Sequence, residues 1–276
     1  MTRGVCPIKV SNTCDSSSCG ERVEARLRIC GEDVCISAQI DGHRGRLSDI
    51  LPVARAAADA VGEVVNREVQ RSGEKVTCRK GCSGCCSYLV PLSVPGVFRL
   101  REEVFAMEAG QRESALRWSA TAGQAILERL PDDGVSESLS EANSETVGRA
   151  ISQWYAEFGL VCPFLKQDVC TCYDLRPIAC REHLVTSPAA WCAGGAEADP
   201  EVAVMPVSVL EVLADWAAEM EGMEMESIML PFALAWAEDN IERRERTWPA
   251  RDMVERFLGM LVTASELKVE PQAARV

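Results

Sequence analysis

The chain has 276 residues, 47% hydrophobic and 26% charged, which is an ordinary balance for a globular protein with a sizeable core. Its formal net charge of −13 argues against a nucleic-acid partner, because such proteins usually carry a basic surplus or a basic face. No stretch approaches the roughly eighteen apolar residues of a membrane span, and no apolar signal core follows Met1. We therefore expect a cytoplasmic protein without a membrane partner.

Fourteen cysteines are many for a reducing compartment. Stable disulfides are rare there, so metal ligation is the leading explanation for the cysteines that cluster. The alternative, an exported disulfide scaffold, lacks a signal segment. Residues 1–20 have the composition of a tail, and the spacing of their cysteines matches no ligand pattern (Cys6, Cys14 and Cys19).

Residues 21–45 are predicted to form a small β-hairpin and the loop that follows it. Apolar residues alternate with charged ones from Val23 to Ile29 and again from Val34 to Ile40, with a turn at Gly31-Glu32-Asp33 between them. Cys30 and Cys35 flank the turn and are expected to be reduced rather than joined across the strands. His43 lies in the loop without neighbouring ligands, and we expect it at the surface.

Residues 46–265 are predicted to be helical. Pro52 begins a helix with one apolar stripe that ends before Ser72-Gly73. A long helical spacer separates Cys86 from Cys162, with a connection at 131–146 and two apolar stripes in which the aromatic residues are expected to be core (Leu116, Ile126, Leu130; Val147, Ile151, Trp154, Phe158). Amphipathic segments at 209–220, 232–241 and 253–262 close the helical core, and 266–276 is a tail. The expected fold is mainly α, a helical domain built around a cysteine-ligated metal centre, with the small N-terminal β-hairpin.

The first cysteine-rich segment places four thiols in nine residues: Cys78, Cys82, Cys85 and Cys86. Thiols so close together are poorly suited to pair with one another or to be buried as plain hydrophobic groups, whereas thiolate sulfur is a soft ligand for zinc, iron–sulfur clusters or copper(I). Gly81 and Gly84 favour a loop folded around a metal rather than a helix.

The second cysteine-rich segment begins about eighty residues later. It contributes Cys162, Cys170, Cys180 and Cys192 as candidate ligands, with Cys172 as an additional one. Pro177 suits the first turn of a helix that Asp174 could cap, which would set Cys180 and His183 on one face and make His183 a further candidate ligand. Three residues are candidates to contact the ligand sulfurs or to form ordinary surface pairs: Arg176, Arg181 and Tyr173.

These residues resemble a known family. The order C-x3-C-x2-C-C, then C-P-F-L, then C-x2-Y-x2-R-P-x2-C-R is similar to that of the zinc- or iron-chelating cysteine-cluster proteins, often called YkgJ-like. The similarity covers roughly residues 75–195 and implies metal binding and little more. Cys172 and His183 depart from the family pattern, which more often has an apolar residue and an aromatic residue there.

Eight thiolates exceed the four that one tetrahedral zinc ion or one ordinary [4Fe–4S] cluster takes. Two sites, one polynuclear cluster with bridging thiolates, or some cysteines outside the coordination sphere would each account for the excess. A single divalent ion would leave most of the negative charge uncompensated in a buried pocket, which favours more metal.

The favoured function is a cytoplasmic metalloprotein that holds an iron–sulfur or other polynuclear iron centre with a redox or metal-dependent catalytic role. Its partner would be a small molecule or protein that the sequence does not identify. The alternative is a zinc-stapled interaction protein without catalysis. Some flagellin lysine methylases carry a related cysteine cluster, but this chain has no glycine-rich methyl-donor loop after a strand.

Overall fold

The computed structural model describes residues 8–11, 21–129, 144–192 and 198–267. Helices dominate these residues, so the mainly-α prediction is confirmed. The helices are α1 Leu51–Arg71, α2 Val94–Ala106, α3 Ala109–Leu127, α4 Ser144–Ala156, α5 Ile178–Glu182, α6 Val209–Glu221, α7 Leu230–Asp239, α8 Ile241–Glu245 and α9 Ala250–Glu266. No described helix combines the length and the apolarity needed to cross a membrane.

The strands form one three-stranded antiparallel sheet, in the order β1-β3-β2, and three two-stranded pairs, β4-β9, β5-β8 and β6-β7. Their bounds are β1 Ile8–Ser11, β2 Glu21–Ile29, β3 Glu32–Ile40, β4 Arg44–Gly45, β5 Pro91–Ser93, β6 Leu165–Lys166, β7 Val169–Cys170, β8 Ser227–Met229 and β9 Trp248–Pro249. The structure differs from the predicted tail in that residues 8–11 pair with β3.

A two-residue turn at Cys30-Gly31 joins β2 to β3, with φ values of 49° and 81°. Cys30 therefore lies in the turn itself, and Cys35 stands opposite Arg26. Cys30 is a free, exposed thiol, whereas Cys35 is disulfide-bonded. The expectation that both cysteines are reduced is therefore wrong for Cys35. Cys6, Cys14 and Cys19 lie outside the described residues.

Helix α1 begins where Pro52 predicts, because proline has no N–H to lose in the first turn of a helix. Its alanine and valine face is buried from Val53 to Val65. The helix packs against the sheet on one side and against α5, which carries Cys180, on the other. Helix α1 thus ties the cysteine-bearing part of the chain to the core, whose largest buried side chains include Trp216, Phe98 and Phe257.

The apolar stripe predicted for the spacer is partly wrong. Leu116 is 37% exposed, and the buried face of α3 consists instead of small residues with Ile126. The reason is the close approach of α7: a Cβ on Gly123 would lie 3.4 Å from the ring of Phe232, and the Ser119 hydroxyl donates to the Pro231 carbonyl at 2.6 Å. A larger side chain facing α7 would not fit at that separation.

The aromatic residues after α3 also differ from the prediction of core positions. Trp154 and Phe158 are half-buried and stack edge-to-face on each other, with ring centroids 4.8 Å apart. Tyr155 is the buried aromatic residue of α4. Leu130 and most of the predicted connection at 131–146 lie outside the described residues, as do the side chain of Val147 and the tail from residue 268 onward.

Candidate metal centre

The first cysteine-rich segment is a chain of tight turns. The Cys82 N–H donates to the Arg79 carbonyl, the Cys86 N–H donates to the Ser83 carbonyl, and a short 3-10 helix covers residues 84–87. Gly81 has a φ of 93°, in the left-handed region that glycine adopts without strain. The structure thus places these thiols on a loop, the conformation that the glycines favour.

The second segment begins with a small hairpin, β6-β7, whose turn has positive φ at Gln167 and Asp168. Cys162 precedes the hairpin and Cys170 ends it. The Thr171 N–H and hydroxyl both donate to the Phe164 carbonyl at 2.8 Å. This double hydrogen bond fixes where Cys170 stands relative to Cys162.

Backbone hydrogen bonds join the two segments directly. The Cys162 N–H donates to the Cys86 carbonyl at 2.8 Å, and the Thr77 N–H donates to the Val185 carbonyl at the same distance. The Val185 N–H in turn donates to the Cys78 sulfur at 3.2 Å. The segments therefore lie against each other although about eighty to a hundred residues separate them in sequence.

Seven thiols line one cavity of about 70 Å³ where the segments meet: Cys82, Cys85, Cys86, Cys162, Cys170, Cys172 and Cys180. Phe164, Leu230 and Val90 form apolar parts of its wall. Because one water needs about 10–15 Å³ of such space, the cavity has room for several atoms. Cys78 and Cys192 lie outside this cavity.

Burial acts against ionisation of these thiols. Burial, with a smaller contribution from the charge of neighbouring thiolates, raises the pKa of Cys85 and Cys162 to about 11 and that of Cys86 and Cys180 to about 12. At neutral pH these four thiols therefore stay protonated unless a cation replaces their protons.

Cys170 and Cys172 differ from the other thiols because they share a hydrogen bond, with their sulfurs 3.7 Å apart. This bond lowers the pKa of Cys170 and raises the pKa of Cys172, which is also buried. Cys170 is thus the thiol of the pair that ionises more readily. The hydrogen bond with Cys172 therefore stabilises the thiolate form of Cys170.

Arg176 and Arg181 have different environments. Arg176 lines the thiol cavity and stacks on the Tyr173 ring at 4.2 Å, and its buried Nε has no hydrogen-bond partner in the described part of the chain. Its charge lowers the pKa of Cys170 and also acts on Cys78 and Cys180, where burial dominates and raises the pKa.

Arg181 is 7% exposed and is bound elsewhere. Its guanidinium donates to both carboxylate oxygens of Asp59 at 2.6 Å and to the carbonyls of Asp174 and Arg176. Arg181 therefore holds α5 to α1 rather than contacting sulfur. Tyr173 lines the cavity beneath Arg176, and Lys80 lies 5.3 Å from the centre of its ring.

His183 follows directly on helix α5. The helix ends at Glu182, the His183 N–H still donates to the Ala179 carbonyl at 3.2 Å, and His183 and Cys180 line the same cavity. Asp174 does not cap this helix: Pro177 precedes it without a side-chain cap, and the nearest cation to the Asp174 carboxylate is Lys80, at 3.7 Å. Pro177 instead restricts the backbone conformation where α5 begins.

His183 lies beside the thiols of both segments. With Cys85, Cys180 and Tyr88 it lines a second cavity of about 180 Å³, and its ring meets Tyr88 edge-to-face at 5.5 Å. Its Nε2 is buried and has no hydrogen-bond partner among the described residues. Tyr88 was not a candidate in the sequence, although it follows Cys86 by two residues.

No family model, curated protein or solved structure matches this chain. The resemblance to the cysteine-cluster family therefore depends on the motif residues alone.

Within the described residues, no three histidine, cysteine, aspartate or glutamate side chains are already grouped closely enough to hold a metal ion. The donor set still suits a soft metal, because it consists of thiols and one buried nitrogen without a partner. Each cysteine sulfur can move among three staggered positions by rotation about χ1.

Proposed function

We propose that this protein is a metalloprotein of the cysteine-cluster type, which holds an iron–sulfur or other polynuclear iron centre between its two cysteine-rich segments. The observation that carries the proposal is the cavity lined by seven thiols drawn from both segments. No packing requirement of the fold accounts for so many thiols around one space, whereas soft metals bind thiolates.

The residues that would hold the metal are Cys78, Cys82, Cys85, Cys86, Cys162, Cys170, Cys180 and Cys192, with His183 as a further candidate. A bound iron centre would supply electron transfer or Lewis acidity. The chain's own residues have separate tasks. Arg176 places positive charge beside the sulfurs, Cys172 shares a hydrogen bond with Cys170, and Phe164, Val90 and Leu230 keep water from one side.

The second cavity supports a catalytic role rather than a purely structural one. It adjoins the thiol cavity through Cys85, Val90 and Cys180, and its volume is about 180 Å³. A closed structural site has no need of such a space, whereas an active centre needs access for a small molecule.

Anaerobic purification followed by analysis of iron, zinc and acid-labile sulfide, with an absorption spectrum, tests the proposal. We expect a brown protein that contains iron and sulfide. A colourless protein with stoichiometric zinc would instead support the stapled interaction protein. The specific observation that favours this alternative is the direct joining of the segments by backbone hydrogen bonds, which zinc would reinforce.

Substitution of the cysteines separates the contributions of the two segments. Replacing Cys82 or Cys180 with serine is expected to lower the metal content in each case, because the two thiols come from different segments but line the same cavity. Unchanged metal content in the Cys180→Ser protein would contradict a centre shared by both segments.

The proposal includes a cytoplasmic location, where reducing conditions favour assembly of thiolate centres. The disulfide bond at Cys35 argues against a cytoplasmic location, because stable disulfides are rare there. Alkylation of free thiols at cell lysis, followed by identification of the modified cysteines, distinguishes a reduced Cys35 from a disulfide-bonded one. Modification of Cys35 would support the cytoplasmic location, and its protection would contradict it.

A further inference from the structure

The second cavity, of about 180 Å³, lies between helix α5 and the residues that lead into β5. Residues 88–91 form one of its walls. The Tyr88 N–H donates to the Cys85 carbonyl at 3.0 Å, and the Leu230 N–H donates to the Val90 carbonyl at 3.0 Å. Hydrogen bonds near both ends therefore hold this wall in place.

The opposite wall is formed by α5 and the residue that follows it. Ala179, Cys180 and His183 line the cavity from this side. The His183 N–H donates to the Ala179 carbonyl at 3.2 Å, which holds His183 against the end of the helix. Ala179 contributes only a methyl group to this wall, so space remains between the helix and residues 88–91.

The cavity differs from the rest of α5 in its lack of charge. No aspartate, glutamate, lysine or arginine of the described chain lines it. The two charged residues of the helix that come between Cys180 and His183 are bound elsewhere: Arg181 donates to Asp59, and the Glu182 carboxylate accepts from two backbone N–H groups at the start of α6. A charged molecule in this cavity would therefore lose its hydration without gaining an ion pair.

The size and the wall of the cavity limit the molecule further. Leu89, Val90, Pro91 and Ala179 are apolar, and Tyr88 adds an aromatic ring. An apolar cavity of about 150 Å³ is large enough to hold benzene. A cavity of about 180 Å³ therefore has room for one six-membered ring with a short substituent.

Two thiols connect this cavity to the candidate metal centre. Cys85 and Cys180 line both cavities, whereas the other five thiols of the first cavity do not line the second. A molecule in the second cavity would thus lie against Cys85 and Cys180, one from each cysteine-rich segment.

We propose that the second cavity binds an uncharged, mainly apolar small molecule, about as large as one six-membered ring with a short substituent, beside Cys85 and Cys180. That this molecule is the substrate of a metal centre rests on the function proposed above. Its binding in the cavity does not depend on the metal.

Three probes that share one ring test the lack of charge: benzyl alcohol, benzylamine and benzoate. At pH 7 the first is neutral, the second is a cation and the third is an anion. Their binding to the full-length chain, kept free of metal by a chelator and a reducing agent, is measured by ligand-observed NMR. We expect benzyl alcohol to bind at least about tenfold more tightly than either charged probe. Equal affinity for a charged probe would overturn the proposal.

The place of binding is tested by filling the cavity. Ala179→Leu adds bulk to the α5 wall and is expected to weaken the binding of benzyl alcohol at least about fivefold, because well-packed walls leave little room for both groups. Ala120→Leu makes the same change on the exposed side of α3 and is expected to bind like the unaltered chain. Unchanged affinity in an Ala179→Leu protein with native circular dichroism would overturn the proposal.

A measurement on the unaltered chain covers the case in which Ala179→Leu does not fold. Benzyl alcohol is added to the ¹⁵N-labelled protein, and the amide chemical shifts are followed. We expect the changes to concentrate in residues 85–91 and 179–183 and to spare α9, which does not line the cavity. Changes concentrated elsewhere would contradict binding at this place.

Metal analysis of the protein as purified separates this proposal from the proposed function. Iron and sulfide in a protein that does not bind benzyl alcohol would overturn the proposal and leave the proposed function standing. Binding of benzyl alcohol by a chain that takes up no metal would overturn the proposed function and the role as substrate, and would leave the cavity as a ligand site.

Discussion

Arg176 and Arg181 belong to the same short motif, yet their surroundings give them different tasks. Arg181 donates to Asp59 and to two backbone carbonyls, whereas Arg176 stacks on Tyr173 at the wall of the thiol cavity. The two arginines therefore make a matched pair for substitution.

Arg181→Met is expected to destabilise the metal-free protein by about 2–3 kcal/mol, because it leaves polar groups without their charged partner. Arg176→Met is expected to change this free energy of unfolding little and to weaken metal binding about fivefold, because thiolates lose a nearby cation. Urea unfolding and competition with a chelator measure the two effects. Equal loss of stability in both variants would contradict the assignment.

His183 has a buried nitrogen that finds no hydrogen-bond partner in the part of the chain that the structure describes, which costs free energy in the metal-free protein. His183→Leu is therefore expected to leave the metal-free protein as stable as before, or more stable by about 1 kcal/mol. Metal binding should weaken, because the nitrogen donor is gone. Unchanged affinity in chelator competition, with an unchanged spectrum, would remove His183 from the ligands.

At the scale of elements, the site depends on how closely short turns approach each other. The turn at Gly84–Ser87 and the turn at Ala189–Cys192 touch where Gly84 has no side chain. Two helices contribute indirectly. The Arg181–Asp59 ion pair joins α5 to α1 and thereby helps to position the second turn against the first.

Gly84→Ala tests this contact. The added methyl group would lie 2.8 Å from the Cys192 Cβ and 3.0 Å from a backbone oxygen, so the turns must separate. We expect a loss of about 1–3 kcal/mol in the free energy of unfolding and a lower metal content. Gly110→Ala is the control, since its Cβ meets nothing within 4 Å. Equal behaviour of the two variants would show that the contact does not matter.

At the scale of the whole molecule, the candidate centre and the main core are distinct in composition. Trp216 and Phe257 are fully buried and pack edge-to-face between α6 and α9, and the Trp216 indole donates to the Met253 carbonyl. The thiol-bearing turns are half-buried and contain little regular structure. Metal binding should therefore stabilise one region more than the other.

Removal of the metal with a chelator is expected to speed amide hydrogen exchange in residues 77–88 and 160–192, with α6 and α9 keeping their protection, because no residue of either helix lines the two cavities at the thiols. Mass spectrometry of the exchanging protein measures both regions in one experiment. Uniform loss of protection would instead mean that the centre and the core unfold together.

Sequence patterns were enough to predict the helical class, the start of α1 next to Pro52 and the approximate extent of α6 and α9, because proline geometry and apolar periodicity act within a few residues. The clustering of cysteines in the sequence also identifies the candidate metal ligands, because it is visible without knowledge of the fold.

Only the tertiary structure decided what depends on contacts between distant residues. Leu116 faces solvent because α7 comes too close to α3 for a large side chain. His183 lies beside Tyr88 and Cys85, which come from the other cysteine-rich part of the chain. Arg176 and Arg181 belong to the same short motif, yet Arg176 lines the thiol cavity whereas Arg181 donates to Asp59. Local patterns fix backbone conformation, whereas the position of a side chain in the site depends on neighbours about a hundred residues away.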